Sequence, residues 1–150
     1  MLFTTLSFLA CTPAMMALQR ENLDKGHLGE GVDIYWKAAR WGDVATLSSL
    51  MVRPEDQLAV ARVLASPTLR VTDVRVLQVV VGPELIARRD RDRTDVNQRW
   101  REGTALVQVE VYALATDRVE STTEEQKWVM DVRGWHVDTE ASPIDADRPW

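Results

Sequence analysis

Gln126-Lys127-Trp128-Val129-Met130-Asp131-Val132-Arg133-Gly134-Trp135-His136-Val137-Asp138 holds two runs of alternating residues that meet at an Arg-Gly step, which reads as a β-hairpin. With Arg133 and Gly134 as a two-residue loop, Val132 lies opposite Trp135, Met130 opposite Val137 and Asp131 opposite His136. One face then carries Trp128, Met130, Val132, Trp135 and Val137, and the other carries Lys127, Asp131, His136 and Asp138. So apolar a face has to cover something apolar, and a curved sheet closing over a core or pocket is expected.

Upstream of the hairpin, Thr104 to Ala115 alternates strongly, with Ala105, Val107, Val109, Val111 and Ala113 on one face and Gln108, Glu110 and Tyr112 on the other. Leu69 to Val81 is valine-rich and long enough for a bent strand. Gly82-Pro83 is expected to turn the chain into a further strand near Leu85 to Arg88. Before Pro67 the texture is helical. Val32 to Trp41 places Val32, Tyr35, Trp36 and Ala39 near one stripe; Gly42 can end that helix and Asp43 can cap the next, through Val44, Leu47, Leu50 and Met51. A third helix is expected from Pro54, carrying Leu58, Val60, Ala61, Val63 and Leu64 until Ser66-Pro67 stops it. The order predicts an α+β domain in which three amino-terminal helices pack on one face of a curved, mostly antiparallel sheet.

The chain has 150 residues, 45% hydrophobic and 27% charged, which suits one domain with a substantial core. A net charge of -5 argues against general nucleic-acid binding, which needs a basic face. Cys11 is the only cysteine, and His27 and His136 form no ligand cluster, so neither a zinc, iron-sulfur or disulfide framework nor any other cofactor is expected.

From Met1 to Leu18 there is no charge, and the first charged residue is Arg20. A transmembrane helix would sit at the short limit for spanning, and a secretory signal would lack its basic leading region. A lone buried thiol on an amino-terminal helix is a third reading. Leu6-Ser7-Phe8-Leu9-Ala10-Cys11 resembles a bacterial lipobox, with small Ala10 before a cysteine to be acylated and Phe8 where the pattern favours leucine. That resemblance implies lipidation at Cys11. Thr12-Pro13 after it lacks the aspartate of inner-membrane retention, so the periplasmic side of the outer membrane is the expected location, with the cytoplasm as the alternative. The chain then divides into an apolar leader or anchor at 1–18, a glycine-containing tether or frayed helix at 19–31, a folded domain at 32–139 and an acidic tail at 140–150.

Three places are similar to the nuclear transport factor 2-like superfamily of cone-shaped α+β domains: Tyr35-Trp36-Lys37-Ala38-Ala39-Arg40-Trp41-Gly42-Asp43, the strand Leu106 to Val111, and the Trp128 to Val137 hairpin. The resemblance spans roughly Gly31 to Thr139 and is one of texture, not of a fixed motif. It implies a pocket between the sheet and the first helix, with Tyr35, Trp36, Trp128, Met130 and Trp135 as ligand-binding candidates that would otherwise fill the space as core. Small bacterial envelope lipoproteins with such a domain match an acylatable Cys11; the superfamily also holds isomerases, dehydratases and polyketide cyclases.

For catalysis the residues offer little. Asp131 opposite His136 would raise the histidine pKa, but both fall on the face away from the tryptophans, where a solvated ion pair is expected. An isomerase of the ketosteroid type, the general example of a raised carboxyl pKa, needs an inward carboxylate; Tyr35 could serve as its tyrosine, and Asp33 more naturally belongs to the polar side of the helix. No Gly-x-Ser-x-Gly, phosphate-loop or His-Glu-x-x-His motif occurs. Arg88, Arg89, Arg91, Arg93, Arg99 and Arg101 outnumber Asp90, Asp92 and Asp95. Arg89, Arg91 and Arg93, with Trp100 as anchor, are candidates for contact with lipid headgroups or an acidic partner. Taken together the sequence points to a non-enzymatic, envelope-anchored accessory domain that holds a protein partner or a small apolar ligand. The alternatives are a small-molecule isomerase or lyase of the polyketide-cyclase-like type and a cytosolic binding protein that dimerises through the outer sheet face.

Overall fold

The computed structural model describes residues 13–51, 69–85 and 100–138. Along the chain run helices α1 (Pro13–Trp41) and α2 (Val44–Ser49) and strands β1 (Leu69–Glu84), β2 (Arg101–Ala113), β3 (Arg118–Asp131) and β4 (Gly134–Val137). The strands form one antiparallel sheet in the order β1-β2-β3-β4, so the class is α+β. Among the described residues there are two helices; the third, expected from Pro54, lies outside them.

Helix α1 takes in all of residues 19–31 as well as the expected helix. Its buried residues Asp24, Leu28, Gly31, Val32, Tyr35, Trp36, Ala38 and Ala39 recur at the three- and four-residue steps of a single helical stripe. Gly26 and Gly29 weaken helix propensity, but burial of this stripe outweighs a cost of about 1 kcal/mol for each glycine. The helix ends as its sequence predicts: Gly42 adopts φ 67°, and the Asp43 N–H donates to the Ala38 carbonyl at 2.9 Å. Asp43 then caps α2, accepting from the Thr46 N–H at 3.1 Å and from its hydroxyl at 2.6 Å. The helical run stops at Ser49. Met51 instead bridges Val137 in parallel, and the Leu50 carbonyl accepts from the Val137 N–H at 2.7 Å, bringing the chain to the free side of β4.

Strand β2 alternates as expected, with Ala105, Val107, Val109, Val111 and Ala113 buried under the helix side. Strand β1 achieves the same face by a different route. Its register against β2 shifts between Val71 and Asp73, between Val76 and Gln78, and between Val81 and Glu84. The first two shifts absorb one extra residue each, so Val71, Val74, Val76, Val79 and Val81 all pair with residues of the buried face of β2. The expected turn at Gly82-Pro83 is the third irregularity, within a continuous strand: Glu84 still pairs with Arg101.

The β3–β4 hairpin departs from the expected register. Its loop is Val132-Arg133, with Asp131 opposite Gly134, Met130 opposite Trp135, Val129 opposite His136 and Trp128 opposite Val137. Asp131 Oδ1 accepts the Arg133 N–H at 2.7 Å and starts the turn one residue early; Gly134, at φ 120°, takes the positive dihedral after it. Because both strands keep their parity, Trp128, Met130, Trp135 and Val137 still share the helix-side face. Val132 leaves that face for the turn and is exposed.

Candidate functional site

The face of the sheet under α1 gathers all five ligand-binding candidates. Tyr35 and Trp36 come from the helix, Trp128 and Met130 from β3, and Trp135 from β4; all are buried in one cluster with Leu28, Val32 and Val107. The Tyr35 ring stands edge-on to Trp36 at 5.4 Å and to Trp128 at 6.1 Å. At one end of this cluster the Trp135 indole N–H donates to the Asp24 carbonyl at 3.1 Å. Asp24 also approaches the buried Arg101, Oδ2 to Nε at 3.4 Å, and Glu84 approaches the same guanidinium at 3.8 Å. Arg101 therefore belongs to the interior, not to a positive surface loop.

Toward the middle of the cluster the polar bookkeeping is incomplete. Trp36 Nε1, Trp128 Nε1 and Gln126 Oε1 are buried, and none has a hydrogen-bond partner. Two are donors and one is an acceptor, all on α1 or the helix-side face of β3, where Gln126 lies two residues before Trp128. Such atoms cost roughly 1–3 kcal/mol each when nothing satisfies them. Burial, and secondarily the charge of Glu124, pushes the Tyr35 hydroxyl far above its ordinary pKa, which keeps it a neutral donor. Along the helix side β3 thus grades from Glu120, Thr122 and Glu124, through Gln126, to Trp128 and Met130. Gln126 was not singled out by sequence reasoning, although the alternation carried back from Met130 and Trp128 reaches it.

Asp33 faces away, pairing with Lys37 at 2.6 Å on the exposed side of α1, and does not serve as an inward carboxylate. Asp131 and His136 are on the far side of the sheet, as expected, but they are buried there, not solvated. Arg133 occupies the Asp131 carboxylate, with Nη2 at 2.7 Å and Nε at 3.1 Å from Oδ2. His136 Nδ1 lies 3.0 Å from the Gly134 carbonyl and 3.5 Å from Asp131 Oδ1. Its pKa is lowered, contrary to the expected rise: burial outweighs the attraction of Asp131, and the Arg133 charge adds to the lowering. The pair is held as structure around the hairpin turn.

The far side also has an open cleft of about 520 Å³, lined by Val80, Gly82, Glu102, Thr104, Lys127 and Val129 among others. Lys127 is engaged by Glu125 and approaches Thr104 at 3.5 Å. Among the described residues no group of three or more metal-ligating side chains occurs. Trp100, expected as an exposed anchor, is instead buried in the core cluster, its backbone N–H donating to the Met130 carbonyl at 2.8 Å and its carbonyl accepting from the Leu85 N–H at 2.7 Å. Arg89, Arg91, Arg93 and Cys11 lie outside the described residues. No protein-family model, curated protein or solved structure matches the chain.

Proposed function

We propose that this chain is a non-enzymatic accessory domain of the bacterial envelope, with the cone-like build of the nuclear transport factor 2-like superfamily, that holds a small apolar ligand against the helix side of its sheet. The observation that carries the reading is the set of three partnerless buried atoms, Trp36 Nε1, Trp128 Nε1 and Gln126 Oε1, set among aromatic walls. A ligand with an apolar body, one acceptor and one donor would satisfy them, and with Tyr35 held neutral nothing there calls for a charged head group. The envelope location rests on the Leu6 to Cys11 sequence, with Cys11 as the acylated anchor.

Titration with the neutral probe N-phenyl-1-naphthylamine, read by energy transfer from tryptophan, tests the binding. Saturable binding weakened about tenfold or more by Trp36→Phe or Gln126→Leu is expected, since each removes one hydrogen bond in a dry site. An interior whose three atoms are each met by ordered water, with no saturable probe binding, would overturn the reading.

One observation favours a second reading, a small-molecule isomerase or lyase: the Glu124 carboxylate is close enough to Tyr35 to raise its pKa. Glu124 is half-buried and has other interactions, which leaves it poorly placed as a base. Deuterium exchange at the α-carbon of a cyclic ketone, catalysed by the protein and lost in both Tyr35→Phe and Glu124→Gln, would bring this reading forward.

A further inference from the structure

The buried stripe of α1 begins at Asp24, yet the helix starts at Pro13. The eleven residues from Pro13 to Leu23, at 1.5 Å per residue, run about 16 Å, and every one of them is exposed. Pro13-Ala14-Met15-Met16-Ala17-Leu18 is apolar on all sides of the helix, with Met15 63% and Leu18 61% exposed. A helix end that is hydrophobic all round is suited to an apolar medium, not to water.

We infer that the first two turns of α1, Pro13 to Leu18, insert into a lipid bilayer, so that the helix itself contacts the membrane. The inference rests on the envelope reading for the membrane, and is independent of acylation at Cys11. Three observations choose lipid as the occupant. The twelve residues before the helix are also uncharged, so no charge interrupts the sequence from Met1 to Leu18. The first turn carries no acidic residue, whose charge would be costly to bring into the apolar layer. Arg20, the first charge, stands two residues, about 3 Å, beyond the apolar end, where its stem can lie in the acyl region and its guanidinium among headgroups. The six apolar residues span about 9 Å, similar to the roughly 5–10 Å to which interfacial helices bury their apolar surface. No described helix is long and apolar enough to cross a membrane, so the contact is insertion from one side.

The full chain carrying Cys11→Ser, which cannot be acylated, is mixed with phosphatidylcholine vesicles containing phosphatidylglycerol and sedimented. Partition onto vesicles is expected, and M16E/L18E in that background should lower it at least about tenfold, since two apolar side chains are exchanged for charges. The segment before Cys11 is common to both proteins. Because Cys11 is the only cysteine, C11S/L18C takes a single environment-sensitive label. Its emission should shift to the blue and become shielded from iodide when vesicles are added, while a label on C11S/A45C in α2 should not respond. Equal partition of M16E/L18E, or an L18C label indifferent to vesicles, overturns the inference. So does a label already shielded without them, which would assign the face to a second copy. Acylation is read separately from the mass of the native amino terminus: an unmodified Cys11 would sink the lipid anchor and leave insertion to stand or fall on the vesicle data.

Discussion

Asp24 and Arg101 meet between helix and sheet, Oδ2 to Nε at 3.4 Å, with side chains only 4% and 6% exposed. A charge pair so enclosed contributes little beyond what a pair of packed apolar side chains would, but half of it is worse than none. Asp24→Ala is expected to lower the free energy of unfolding in urea by about 3–5 kcal/mol, whereas D24L/R101M should recover most of the loss. Equal stability of Asp24→Ala and the native chain would mean that Arg101 is satisfied from elsewhere.

At Gly103 the absence of a side chain lets Leu28 of α1 pack directly on β2. A Cβ there would lie 2.5 Å from Leu28 Cδ2 and 3.1 Å from the Trp135 ring. Gly103→Ala should therefore cost about 1–3 kcal/mol by overpacking. In that background Leu28→Val should be less damaging than in the native chain, and the coupling is measured by a double-mutant cycle. Additive effects would count against the close approach.

His136 sets a pH dependence whose sign follows from its lowered pKa. The unfolded chain, with an ordinary imidazole near 6.5, binds the proton more readily than the folded one, so stability rises with pH across this window. Conversely, as pH falls below 6.5, stability should drop, until the folded-state imidazole also protonates. His136→Gln should flatten that part of the profile of urea midpoint against pH. A native profile that climbs on acidification would show that Asp131 dominates after all.

Gln126 separates ligand holding from simple packing. Gln126→Leu removes a buried acceptor without a partner, so the ligand-free protein should gain about 1 kcal/mol in thermal or urea unfolding even as probe binding weakens. A destabilised, probe-competent variant would indicate that the amide has a structural role.

The tryptophan-bearing face of the last hairpin is legible in the sequence because alternation of period two survives a shift of the turn. The turn itself is not, since its position depends on Asp131 capturing the Arg133 amide, a choice between Val132-Arg133 and Arg133-Gly134 that pattern alone leaves open. The glycines of residues 19–31 suggest a break in α1 when propensity is read locally; the stripe from Asp24 to Ala39 becomes visible only when the helix is phased from Trp36 backward. Trp100 reads as a surface anchor among arginines, yet its backbone pairs with Met130 and Leu85 and draws the ring inside. The aromatic half of the candidate site was therefore accessible to periodicity. Its polar half, Gln126 with the two indole nitrogens, depends on which atoms find partners, and that is a property of three-dimensional packing.

The uneven strand β1 has a consequence for folding fidelity. Val71, Val74, Val79 and Val81 pack against the core in the kinked strand; in a flat, regular strand Val71, Val79 and Val81 would point one way and Val74 the other, so no straight pairing could bury all four. A valine turned out to water forfeits up to about 1.5 kcal/mol, since in the kinked strand it is partly buried. Slipped registers that iron out the kinks are thereby penalised by composition alone. The spacing of the valines acts as a key that turns only in the kinked strand, and it guards the alignment of the whole sheet against sliding.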